Sequence, residues 1–250
     1  MTSVVDQEYW DMHYHQPQFV YSPAGVEFKP LFDKFLKPGG TCFEIGCYPG
    51  GYLFYLGHTF GYTISGIDAT PGVADQLPAN AASLGLKVGE FTKGDFFNFR
   101  SNCTYDVVCS FGFIEHFTNV EEVIELHLAL LKPGGTFVIS CPNFRKVQYV
   151  LHRLLDAQNL ARHHLPAMDL NRWERALLRH GLQIQYKGYW RTADFWSDSG
   201  RSNYFVRLMR RTLRRLCKRI DPWLHWPNRY TSPFMICFAT KPLAPAAESR

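Results

Sequence analysis

The 250-residue chain has 46% hydrophobic and 20% charged positions, enough apolar material for one globular domain with a substantial core, which excludes a disordered chain. No apolar run approaches the roughly 20 residues needed to cross a bilayer, and the polar, aromatic opening carries no basic-plus-apolar leader, so an unexported, cytoplasmic protein is expected. The net charge of +5 is concentrated: Arg201, Arg207, Arg210, Arg211, Arg214, Arg215, Lys218 and Arg219 carry eight positive charges with no acid between Gly200 and Ile220, and the other 19 bases against 22 acids leave the rest mildly acidic.

Along the chain, short apolar and β-branched runs alternate with helical patterns, the signature of βα units around a mostly parallel sheet. Strands are predicted over 41–47 (TCFEIGC), 62–68 (YTISGID), 87–95 (KVGEFTKGD), 105–112 (YDVVCSFG), 135–142 (GTFVISCP), 182–190 (LQIQYKGYW) and 234–240 (FMICFAT). A helix over 71–85 starts at Pro71 and stops at Gly85, and NVEEVIELHLALLKPGG has acids in its first turn and a Pro-Gly-Gly stop. DLNRWERALLRHG repeats the scheme, with Asp169 as cap and Gly181 as terminator. No internal repeat occurs, and the tail APAAESR should fray. Cys42, Cys47, Cys103, Cys109, Cys141, Cys217 and Cys237 mostly sit inside apolar runs without a C-x-x-C pair or zinc spacing, so they read as reduced core residues and no metal site is expected.

In open α/β sheets ligands sit beyond the carboxyl ends of the strands, so the loops after residues 47, 68, 95, 112 and 142 should ring one site. If strand 182–190 runs parallel to the others, the insertion 192–232 lies on the same face as a lid. The first of these loops, FEIGCYPGG (43–51), is not a dinucleotide turn. Tyr48 stands where the middle glycine of G-x-G-x-x-G belongs, Glu44 precedes Gly46, and no P-loop Lys-Ser/Thr follows. Glu44 would repel a pyrophosphate but can accept from an ammonium group, while Gly46, Gly50 and Gly51 let the backbone approach a flat ligand. Asp68 lies 22 positions beyond Gly46, where an acid can take two ribose hydroxyls. In GDFF, Asp95 can accept from an exocyclic amine and Phe96 can pack on a purine. Three acids at successive strand ends describe a ligand bearing amines and a ribose.

The set FEIGCYPGG, GIDA, KGDFF, YDVVCSFGFIEHF and LLKPGGTFVIS, in this order over about residues 40–190, resembles the class I S-adenosylmethionine-dependent methyltransferases. The fold expected is α/β, Rossmann-like and doubly wound, with a mostly parallel seven-stranded sheet, an antiparallel last strand, and a helical lid insertion between the last two strands. One domain is expected, comprising a cap 1–39, a cofactor-binding core 40–191, a basic helical insertion 192–232, a final strand 233–241 and a tail 242–250. The resemblance implies S-adenosylmethionine as cofactor. It places Glu44, Gly46, Cys47 and Gly50 around the methionine end, Asp68 at the ribose, Asp95 and Phe96 at adenine, and Ser110 and Phe111 on the methyl side, with Tyr48 and Ala69 also among the cofactor-binding residues. Tyr48 with Pro49 departs from the usual small residues of the turn.

Methyl transfer needs the nucleophile held in line with the S–CH3 bond, and a hydroxyl acceptor must also lose a proton. In IEHF, His116 is the candidate general base, the alternative being a loop histidine bonded to backbone. His163 and His164 in ARHHLPAMD fall on the same face. Tyr9, Trp10 and Tyr14 resemble an aromatic segment that closes over the cofactor, or else form a core-packing stripe. Phe205, Met209, Leu213, Leu216 and Ile220 recur at helical spacing among arginines, followed by Trp223 and Trp226. That pattern suits a solvated lid helix, an anionic acceptor, or peripheral contact with the inner face of a membrane through 204–226.

The reaction expected is O-methylation of a sugar, glycan or other small acceptor, a resemblance to polysaccharide and secondary-metabolite enzymes favouring a sugar. A nucleic-acid methylase is the first rival, but SFGF after strand 105–112 is not the Asn/Asp-Pro-Pro-aromatic signature of base-amine methylases, so nucleic acid is not expected as partner. A non-catalytic cofactor-binding member of the fold and a dehydrogenase are the others, the latter failing on glycine spacing.

Overall fold

The computed structural model describes residues 3–14, 21–197 and 203–243. Arg201 of the basic cluster, residues 15–20 of the expected cap, 198–202 of the insertion and the tail from 244 lie outside the described residues. Among these residues the helices are α1 (Gln7–His13), α2 (Lys29–Phe35), α3 (Gly51–Phe60), α4 (Gln76–Ser83), α5 (Val120–Ala129), α6 (Val147–Leu155), α7 (Ala157–Ala161), α8 (Leu170–Arg179) and α9 (Tyr204–Ile220). The strands are β1 (Thr41–Ile45), β2 (Thr63–Asp68), β3 (Lys87–Lys93), β4 (Tyr105–Phe111), β5 (Leu131–Pro142), β6 (Gln183–Trp190) and β7 (Phe234–Thr240).

They form one seven-stranded sheet in the order β3-β2-β1-β4-β5-β7-β6. β1 to β5 pair in parallel, whereas β7 runs antiparallel to both β5 and β6. β6 therefore points the same way as β1 to β5, and the chain leaving Trp190 emerges on the face where the other strands end. The antiparallel last strand and the position of the insertion are as expected.

Each central strand is buried on both sides because successive side chains alternate between two layers. Phe43 and Ile45 of β1 join Val123, Ile124, Trp173 and Leu177 of α5 and α8 on one side. Cys42, with Val107 and Cys109 of β4, joins Phe32, Leu53, Phe54 and Leu77 of α2, α3 and α4 on the other. All but Cys103 of the seven free cysteines are buried.

Element boundaries follow local capping chemistry. Asp169 accepts from the backbone N–H of Asn171 and Arg172 to start α8, and Gly181 closes it at φ +73°. The helix expected over 71–85 is split: Pro71–Val73 forms a 3₁₀ turn, and Asp75 then accepts from Gln76 N–H to start α4. The Pro-Gly-Gly stop of α5 is drawn into β5, which begins at Leu131 rather than Gly135.

Candidate active site

The crevice opens where the strand order reverses, between β1 and β4. Glu44 near the end of β1 is buried, and its Oε2 has no hydrogen-bond partner. Burial first, and then the Asp68 carboxylate, push the Glu44 carboxyl well above its ordinary range. Asp68, at the end of β2, is used differently. Its Oδ2 accepts from the backbone N–H of Tyr48 at 3.0 Å and its Oδ1 from that of Thr70 at 2.8 Å. The Thr70 hydroxyl and the Ala69 backbone N–H also help to hold its charge.

The turn between β1 and α3 is shaped by two glycines. Gly46 lies at φ +72°, where a Cβ would also come within 2.7 Å of the Phe113 ring, and Gly50 caps α3 at φ +96°. Tyr48 does not obstruct this turn. Its backbone serves Asp68, while its ring turns away, donating from the hydroxyl to Gln76 Oε1 at 2.9 Å and meeting Tyr14 edge-on at 5.3 Å. The Tyr48–Pro49 peptide is cis. Cys47 is buried beside Glu44 and Asp68, both of which help raise its thiol pKa. Ala69 is half-buried on the lip next to Asp68.

This donor set fits S-adenosylmethionine. An orphaned, buried carboxylate oxygen next to a second acid calls for a cationic or hydroxyl-rich ligand, and opposes a diphosphate.

The remaining expected residues divide. Phe111 faces the crevice and stacks on Tyr52 at 4.1 Å between ring centroids. Ser110 turns into the core, donating to His127 Nε2 at 3.0 Å, while His127 Nδ1–H donates to the Val123 carbonyl. Only the Ser110 backbone reaches the strand end. Asp95 caps a 3₁₀ turn, accepting from Phe97 N–H and from the Asn98 amide. Phe96 is buried edge-on against Phe113 and His127.

Beyond Phe111 lies a cavity of about 490 Å³ walled by Tyr9, Trp10, Tyr14, Tyr52, His116, Arg162, His163 and Trp196 among others. Tyr9 and Trp10 of α1, with Tyr14 just past its end, thus wall this cavity, Trp10 lying edge-on to His116 at 5.1 Å. His116 Nδ1–H donates to the Arg162 carbonyl at 2.9 Å and His163 Nδ1–H to the Asn159 carbonyl at 2.7 Å. Because carbonyls only accept, each ring must carry its proton on Nδ1, which leaves both Nε2 atoms as acceptors. Burial drives His116 down to about 4, against the upward pull of its bond to the Arg162 carbonyl, and burial with the neighbouring His116 drives His163 to about 3. This corrects the expectation of a histidine titrating near neutrality: both rings are neutral there. His164 is outside the cavity wall, its backbone N–H bonded to the Glu115 carbonyl.

Glu115 is buried, has Oε2 unpartnered, and burial lifts it to about 8. Glu115, His116 and His163 each place one potential ligand atom within 4.8 Å of the others, a cluster not expected from the sequence. The adjacent Arg162 guanidinium, stacked on Tyr9 at 4.3 Å, opposes a cation there. Sequence reasoning also missed Tyr52, Arg162 and Trp196. Tyr52 sits in the first turn after the glycines and Trp196 just past the end of β6, so the strand-end rule would have reached both.

A family model described as a methyltransferase domain matches residues 23–187, which span this crevice from α2 to β6. The chain belongs to the class I S-adenosylmethionine-dependent methyltransferases. Among curated relatives, a ubiquinone biosynthesis O-methyltransferase of Rickettsia canadensis is 31% identical over 108 residues, 43% of this chain and 45% of that protein. Phosphoethanolamine N-methyltransferase 3 of Arabidopsis thaliana is 29% identical over 46% of this chain and 23% of its own length. The methyltransferase described here therefore spans less than half the length of these relatives. Among solved structures, a putative methyltransferase from Bacillus halodurans superposes with a TM-score of 0.63 at 14% identity, covering 87% of this chain and 100% of that one. Geranyl diphosphate C-methyltransferase from Streptomyces coelicolor, solved with Mg2+, geranyl diphosphate and S-adenosyl-L-homocysteine, gives 0.58 at 12% identity, covering 85% and 77%. At these identities the structures share the fold.

Proposed function

We propose that this methyltransferase transfers a methyl group to a hydroxyl oxygen of a small ring-bearing acceptor, a sugar or a phenol, held in the aromatic cavity. The observation that carries this reading is His116, fixed through Nδ1–H on the Arg162 carbonyl in the cavity wall with Nε2 left as an acceptor. When bound, S-adenosylmethionine supplies a methyl group on a sulfonium centre, an electrophile needing no further activation.

Glu44 and Asp68 would hold its amino and ribose ends, Ala69, Asp95 and Phe96 its adenine side, and the turn Gly46–Gly50 its methionine backbone. Tyr14, Tyr52 and Phe111 exclude water from the reacting end. His116 Nε2 is placed to take the proton of the attacking hydroxyl, and the resulting imidazolium would stay bonded to the Arg162 carbonyl. The flat faces of Trp10 and Trp196 with the polar edges of Asn159 and Ser197 suit a sugar ring, and Arg162 suits an acceptor bearing an acidic group. Relatives named as O-methyltransferases support oxygen as the target.

His116→Ala should lower turnover about 10²-fold, the lower range for removing a positioned general base, while calorimetry shows unchanged S-adenosylmethionine affinity. Sugars, phenols and amines assayed side by side test the acceptor. Transfer to amines alone, or an unchanged rate in His116→Ala, would overturn the reading.

A further inference from the structure

Helix α9 carries a face that the fold leaves uncovered. Its packed side consists of Arg210, Leu213 and Cys217, which meet Leu151, Leu155 and Phe195. Arg210 Nε donates to the Leu155 carbonyl at 2.6 Å, and its Nη2 reaches the buried Asp156 carboxylate at 3.1 Å. Phe205, Met209, Leu216 and Ile220 share a stripe about a quarter-turn away, at roughly 100° per residue. All four are exposed, Phe205 at 66%, and past the helix Trp223 and Trp226 are 85% and 74% exposed.

The outward sector holds Arg207, Arg211, Arg214, Arg215, Lys218 and Arg219, and the helix contains no acid. Among the described residues no carboxylate pairs with Arg207, Arg211, Arg215, Lys218 or Arg219. Asp221, just after the helix, is taken up by the backbone N–H groups of Thr192 and Ala193.

We propose that α9 with the segment 221–226 is a docking surface for an anionic lipid bilayer. The apolar stripe and the two indoles enter the headgroup region, and the flanking arginines meet lipid phosphates. Charge complementarity selects an anionic partner. The stripe selects a bilayer among anions, because nucleic-acid phosphates would use the arginines and leave Phe205, Met209, Leu216 and Ile220 in water. No helix of the described residues is long and apolar enough to cross a membrane, so the contact is one of surface docking. It also touches the acceptor cavity: Arg214 Nη2 lies 3.4 Å from Ser197 Oγ, and Asp156, held by Arg210, accepts from Asn159 Nδ2 at 3.1 Å. Ser197 and Asn159 both line that cavity. The docking reading does not depend on the acceptor or on His116.

The test is co-sedimentation of the full chain with vesicles of phosphatidylcholine alone, or of equal parts phosphatidylcholine and phosphatidylglycerol. Binding is expected only to the mixed vesicles, weakening as salt is raised. A Phe205→Ser/Trp223→Ser/Trp226→Ser variant and an Arg207→Gln/Arg211→Gln/Arg215→Gln variant should each bind at least about tenfold more weakly. Unchanged S-adenosylmethionine affinity, read in the same preparations, shows that both variants are folded. The proposal is overturned if the wild-type chain does not sediment with mixed vesicles. It is equally overturned if the serine variant binds them as well as wild type, or if duplex DNA is bound more tightly than the vesicles.

Discussion

Burial and the Asp68 carboxylate raise the cost of ionising Glu44, whereas Asp68 has its charge met by the backbone N–H groups of Tyr48 and Thr70. The two acids should therefore answer differently to substitution. Asp68→Ala strands the Tyr48 and Thr70 amides, costing about 1–3 kcal/mol of stability, and should abolish cofactor binding by calorimetry. Glu44→Gln removes an unpaired buried acid, so the ligand-free protein should melt at a higher temperature while S-adenosylmethionine affinity drops about tenfold. A melting temperature that falls would show that Glu44 is already satisfied without ligand. The placement of Glu44 and Asp68 at successive strand ends was legible in the sequence from the strand-helix alternation, whereas the use of Asp95 to cap the turn Phe96–Asn98 was not. The histidine pKa was not legible: IEHF gives no sign that Phe144, Trp10 and His163 crowd the rings of its neighbourhood, and burial decides the shift. Ser110 was equally opaque, since its partner His127 comes from the next helix.

At the scale of elements, α1 has no buried residue of its own, yet its aromatic side chains wall the cavity. Trp10→Ala should raise the acceptor KM several-fold while changing kcat and cofactor affinity little; a fall in kcat alone would instead tie Trp10 to the placement of His116. Helix periodicity located α9 but left open which side faces inward. The spacing singles out Phe205, Met209, Leu213, Leu216 and Ile220, of which only Leu213 packs, because Arg210 finds Asp156 across 54 residues of sequence and turns the helix toward it. A one-dimensional pattern reports that a stripe exists, whereas the direction in which it faces depends on a partner that local spacing cannot name.

For the whole molecule, the buried histidines set an acid limit. His116, His127 and His163 have folded pKa values near 4, 4 and 3, below the unfolded value of 6.5. Their contribution is present above 6.5 and is lost as pH falls from there through the folded values, because the unfolded chain binds protons first. Glu115, raised to about 8, acts in the opposite sense, its contribution being lost as pH rises from its unfolded value through 8. Glu44, pushed up by burial, acts in the same sense as Glu115, so the histidine contribution is read as a difference between variants. As pH falls from 6.5 to about 4, His127→Leu should lose less of its urea midpoint than the wild-type chain. An equal change in both proteins would mean that the His127 ring is charged in the folded protein.

The sheet order was expected in outline, since alternating strands and helices leave few ways to wind. One feature of it governs how the chain can be built. β7 lies between β5 and β6, so β6 has no neighbour but a strand that is made some forty residues after it. During synthesis the free edge of β5 stays open until Phe234–Thr240 leave the ribosome, and a nascent chain halted before Phe234 carries a five-stranded sheet with β6 unattached. Maturation is thus gated by the final strand, which makes this fold sensitive to premature stop codons far downstream of Glu44, Asp68 and His116.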